Sequence, residues 1–116
     1  MRTINIIINS KTFSCLLAET NEEQEKGLMY VKPPVPNMAF KYSSPRDVSF
    51  WMKNTPAPLD IVFCKNNKIV DIKKGTPYST ELIRPRTSSD LIIEFNLGSA
   101  SLFGFQIGDE VFVDGN

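Results

Sequence analysis

The stretch LDIVFCKNNKIVDIK, Leu59 to Lys73, leaves a chain few ways to fold. Two apolar runs, rich in β-branched and aromatic side chains, are separated only by Asn66-Asn67. Asparagine tolerates positive φ, and a pair of such residues closes a tight hairpin. Leu59–Lys65 and Lys68–Lys73 therefore read as paired strands. The rest of the chain is punctuated in the same way. Ile4, Ile6 and Ile8 recur at every second position, Asn9-Ser10-Lys11 reads as a turn, and Thr12–Glu19 returns as a second strand. Further strands are expected at Met38–Tyr42, Asp47–Lys53, Leu91–Phe95 and Glu110–Val113, eight in all.

Two helices are expected, both short. Thr20 with Glu23 three residues on forms a capping box, because each side chain can satisfy a free amide at the helix start, and Gly27 is its stop. The second begins near Gly98 and stops at Gly104. Between them, YVKPPVPN reads as a stiff extended loop, since Pro33, Pro34 and Pro36 lack amide donors and fix φ. Ser43-Ser44-Pro45 reads as a turn and residues 75–89 as a long loop. Strands are closely spaced and do not alternate with helices as in βαβ units. The expected fold is α+β and mostly antiparallel β, a curled sheet or small barrel-like domain with two short helices, spanning residues 1–116 as a single domain.

Composition narrows the chemistry. The 13 basic and 13 acidic residues cancel, so no basic stripe argues for nucleic acid and no basic amphipathic helix for a membrane surface. The chain has no histidine, which removes Ser-His-Asp and Cys-His pairs and every His-ligated metal. Without a C-x-x-C pair, no metal site is expected, and no motif calls for a cofactor. Cys15 and Cys64 each sit in an apolar run and read as buried thiols; a disulfide would require export. The run after Met1-Arg2, TINIIINSK, lacks the apolar stretch and cleavage site of a signal peptide, and no run is long enough to span a membrane. A cytoplasmic location is the default expectation.

The motifs EKGLM, MAF, FWMKNTPAPLDIVF and G-x-x-x-x-x-G-x-x-x-GDEV follow one another here in order and spacing. Together they resemble the domain of unknown function 192 family, small β-rich bacterial and archaeal domains, over about residues 19–113. The family name assigns no activity. Relatives often carry an export signal or lipoprotein-like leader, which this chain does not show. Two departures from the pattern stand out: Asn37 and Ala39 replace Gly and Leu around the MAF strand, with Asn37 still able to hold positive φ. The 75–89 loop lacks a cysteine common there in relatives.

FWMKNTPAPLD is where a site is expected. On an extended strand Val48, Phe50 and Met52 share one face, and Ser49, Trp51 and Lys53 the other. The first set is the better core face. Trp51 and Lys53 then either cover a second small core, the lysine stem lying on the indole, or form a wall that stacks and charges a small polar or anionic ligand. Asn54 either caps loop amides or touches that ligand. Pro56 and Pro58 keep the loop stiff. Asp60 opens a strand that is apolar on both faces, so its carboxylate needs a partner, for which Lys53, Asn54 and the loop amides are nearest in sequence. It either ties down the proline loop or serves as a site carboxylate. A Ser49–Lys53 dyad fails, because four residues of strand separate them by about 13 Å. A facing carboxylate for Asp60 could come from Glu19, Glu94 or Asp109, with no spacing argument to choose. Met29 is expected in the core. The favoured function is a small-ligand-binding or accessory module, with Trp51, Lys53, Asn54 and Asp60 as candidate ligand contacts. The alternatives are an acid/base enzyme using Asp60 or Lys53, and a structural or protein-interaction module.

Overall fold

A computed structural model describes residues 1–114. The hairpin signals dominate it. Asn66 and Asn67 both take positive φ, as do Asn9 and Ser10 at the first turn, so both two-residue turns match the right-handed twist of their strands. The strands are β1 (Thr3–Ile8), β2 (Lys11–Ala18), β3 (Asn37–Arg46), β4 (Leu59–Lys65), β5 (Lys68–Gly75), β6 (Ser89–Asn96) and β7 (Val111–Asp114). They form one sheet in the order β5-β4-β6-β3-β2-β1-β7. Every pairing is antiparallel except β2 with β3. The sheet edges approach each other through a Lys68–Glu110 bridge, with the Ile69 amide donating to the Asp109 carbonyl at 2.9 Å. The sheet is therefore a curled half-barrel.

The inner face gathers Ile6, Phe13, Cys15, Val62, Cys64, Ile93, Phe95 and Val111. Phe105, from the segment after α2 (Ser99–Phe103), packs against Phe13 and Phe95 with ring centroids 5.6 and 5.2 Å away. Cys15 and Cys64 are free, and burial pushes each thiol up to about 12. Neither thiol is poised as a nucleophile.

The other face is covered by crossing chain. A parallel β2–β3 pair cannot be joined by a hairpin, so residues 19–36 must cross over the sheet. That crossover holds α1 (Asn21–Lys26) and the proline loop. The capping box forms as expected, with the Glu23 amide donating to Thr20 Oγ1 and the Thr20 amide to Glu23 Oε1, both at 3.1 Å. These backbone donors, from Glu19 first and then Thr20, lower the Glu23 pKa. Leu28 and Val35 from the crossover, and Met52 and Ala57 from the segment before β4, bury against Phe40, Ile61, Phe63 and Ile92. At the end of α1 it is Leu28, rather than Met29, that sinks into this core; Met29 is half-buried.

Three further expectations change. Asp47–Lys53 is not a strand of the sheet, which has seven strands. The backbone there is extended and the faces alternate as expected, with Met52 buried and Trp51 exposed. But β4 already has β5 and β6 as neighbours, so this segment lies across the sheet face and pairs only with the long loop. Phe50 exchanges both backbone bonds with Ile83, and the Met52 amide donates to Ser79. Ser43-Ser44-Pro45 is not a turn but part of a bulge in β3. Lys41 pairs with Leu91 and Arg46 with Ser89, so the residues between them loop out where Pro45 has no amide to donate. Asn37 begins β3 without positive φ, and its side-chain amide donates to the Ser14 carbonyl at 3.2 Å.

Candidate functional site

The crossover and the 46–51 segment do not meet over the sheet. Between them lies an open cleft of about 560 Å³. This is the size of a small-molecule site. One wall is α1, with Asn21, Glu22, Glu25 and Lys26, running on through Gly27 to Met29. The facing wall is Asp47 to Trp51. The bulge of β3 tips Tyr42 and Arg46 into the rim, with the Arg46 guanidinium 4.3 Å from the centre of the Tyr42 ring. Phe40 and Thr55 line the deeper part.

Glu94 also lines this cleft, from the sheet beneath it. It sits on β6 between β3 and β4, opposite Met38 on one side and Ile61 on the other. It is 5% exposed, and its Oε1 has no hydrogen-bond partner among the described residues. Desolvation raises its pKa to about 8, so the carboxyl is mostly protonated at neutral pH. Gly27 matters to this arrangement. Its φ is +49°, and a Cβ there would stand 3.7 Å from both Glu94 Oε1 and Phe40 Cζ. A side chain at that position would also be strained.

Of the four residues expected to act together, the structure keeps Trp51 and Lys53 in contact and takes Asp60 to the opposite face of the sheet. Trp51 lines the cleft and is 43% exposed. Lys53 does not line it; its ammonium lies over the Trp51 ring, 5.1 Å from the centroid. Asn54 takes positive φ, and its carbonyl accepts the Tyr30 amide at 2.8 Å, which ties the crossover to the turn. Asp60 points to the inner face, with Val62 and Cys64. Its Oδ2 accepts the Gly98 and Ala100 amides at 3.0 and 2.9 Å, so it holds the start of α2 rather than the proline loop. Asp71, a second buried acid, is likewise committed: its two oxygens accept the Ile72 and Arg86 amides, both at 2.9 Å. Glu94 is thus the buried acid left facing a cleft. LIIEFN carries the signal that could have found it, a carboxylate in a strand apolar on both faces, the same reasoning that selected Asp60. Among the described residues no group of three or more His, Cys, Asp or Glu could hold a metal, and no helix is long and apolar enough to cross a membrane.

A family model described as DUF192, uncharacterised ACR, matches residues 4–113. Among solved structures, a protein of unknown function from Novosphingobium aromaticivorans superposes with a TM-score of 0.82 at 29% identity, over 95% of this chain and 83% of that one. A Sinorhizobium meliloti protein, provisionally described as a transcription regulator, gives a TM-score of 0.85 at 30% identity, over 96% of this chain and 92% of the other. No curated protein is matched.

Proposed function

The chain belongs to the DUF192 family, and we propose that it is a small-ligand-binding domain whose site is the cleft between α1 and Asp47–Trp51. One observation carries this reading: a buried carboxyl, Glu94, has an oxygen with no partner beneath an open cleft. Leaving a buried polar atom unbonded costs about 1–3 kcal/mol, a cost that a ligand group could offset. The surroundings suit such a ligand. Phe40, Phe50 and Trp51 offer apolar area, while Tyr42, Ser49 and Thr55 offer hydroxyls. Lys53 braces the indole from outside the cleft, so a polar ligand would find Trp51 already ordered. Asp60 is occupied by two backbone amides, which weighs against it as an acid or base for a substrate. A domain that senses a small ligand would also serve a regulator of the kind provisionally named for the Sinorhizobium protein.

The test is a metabolite screen read by Trp51 emission and by melting temperature. Trp51 is the sole tryptophan, so its emission is assigned without ambiguity. Binding compounds should shift both signals. Trp51→Ala should keep the melting temperature of the free protein and weaken binding about tenfold or more, the loss of about 1.4 kcal/mol or more of contact. A screen in which no compound shifts either signal, or one in which Trp51→Ala binds as tightly as wild type, removes the proposal.

A further inference from the structure

We propose that the cleft recognises a ligand through a protonated amine, with the ammonium group seated on the Glu94 carboxylate and the alkyl part against Phe40 and Trp51. This rests on the cleft being a ligand site and adds the chemical class of the ligand. Three observations lead to it. The free Oε1 of Glu94 asks for a donor, and an ammonium brings three. The aromatic side chains that line the cleft attract cations, as Lys53 over Trp51 and Arg46 over Tyr42 show at the rim. The charged groups around the cleft are Glu22, Glu25 and Asp47 against Lys26 and Arg46, so the lining holds four acids against two bases once Glu94 ionises. No salt bridge among the described residues occupies Glu94.

The binding step balances simply. Glu94 releases its proton to solvent, and the ligand's ammonium replaces it as the positive partner of the carboxylate. The titratable and charged groups that share the cleft with Glu94 are Glu22, Glu25 and Lys26 on α1, and Tyr42, Arg46 and Asp47 on β3 and the segment after it. Because the carboxyl holds its proton up to about pH 8, binding of an amine should tighten about tenfold for each pH unit between 6 and 8 and level off above that.

The probes are n-butylammonium and 1,4-diaminobutane, with 1-butanol and butyrate as neutral and anionic counterparts. Binding is followed by NMR, reading the side-chain carboxyl carbon of Glu94 and the indole of Trp51. The expected result is that both amines bind, that the Glu94 carbon moves to its ionised position on binding, and that affinity rises with pH as stated. Glu94→Gln, which keeps the shape and removes the charge, should weaken amine binding at least tenfold at pH 8 and abolish its pH dependence. If butanol or butyrate shifts Trp51 while the amines do not, the cleft remains a ligand site and the amine assignment is overturned. The assignment is also overturned if the amines bind without ionising Glu94. If no probe of any charge moves either resonance, the amine assignment and the cleft reading fail together.

Discussion

Glu94→Gln tests the energetics of the cleft without any ligand. In the folded protein the Glu94 carboxyl titrates near 8, against 4.5 for an unperturbed glutamate. Between those two values the folded state keeps a proton that the unfolded chain has lost. The stability contributed by the neutral buried acid is therefore full below about pH 4.5 and is lost as pH rises through about 8. At about 1.4 kcal/mol for each pH unit, the loss is roughly 5 kcal/mol across the window and about 3 kcal/mol at pH 7. Glutamine has the same shape and cannot ionise, so its stability should not follow this slope. Urea unfolding followed by circular dichroism, from pH 4.5 to 8.5, provides the comparison. The two proteins should be nearly equal at pH 4.5. At pH 7 the variant should be more stable by about 3 kcal/mol, with a melting temperature higher by roughly 10 °C. The urea m-value should stay the same, since the buried surface does not change. Parallel stability profiles for the two proteins across this range would refute the reasoning. They would mean that water or protein groups already satisfy Glu94 and that its carboxylate is not isolated.

Other positions give independent checks. Asp60→Ala removes the acceptor of two part-buried amides and should cost about 1–3 kcal/mol in urea unfolding, with faster amide exchange confined to the start of α2. Gly75→Ala would place a Cβ 2.5 Å from the Met52 sulfur, and because Met52 is itself buried it should destabilise by about 1–3 kcal/mol; an unchanged midpoint would show that Met52 can move aside. Cys15 and Cys64 should resist a thiol-specific reagent at pH 8 in the native protein and both react after unfolding, because burial holds the two thiols protonated up to about 12.

Much of the fold is legible in local signals, because turns and caps are decided by the residues that form them. Asn66-Asn67 closes the β4–β5 hairpin, Thr20 with Glu23 starts α1, and Gly104 ends α2 in the left-handed region. Strand partners are a different matter. The extended segment around Phe50 looks like its neighbours in sequence, yet it lies across the sheet because β4 has no free edge to offer it. The parallel β2–β3 pair leaves no trace in either strand, only in the length of chain between them. The site divides along the same line. Glu19, Glu94 and Asp109 are equivalent when read locally, and the fold makes them different. Glu19 pairs with Arg2 at the surface, and Asp109 accepts the Gln106 amide at 2.8 Å. Glu94 and Asp60 are closer still in kind: both are acids on central strands with apolar neighbours on both faces. Asp60 receives amides from residues some forty positions away in the chain, whereas Glu94 meets Gly27, which has no side chain to offer it. A buried acid becomes part of the scaffold or part of a site according to whether a distant segment brings it donors, and this is set by topology rather than by the residues on either side.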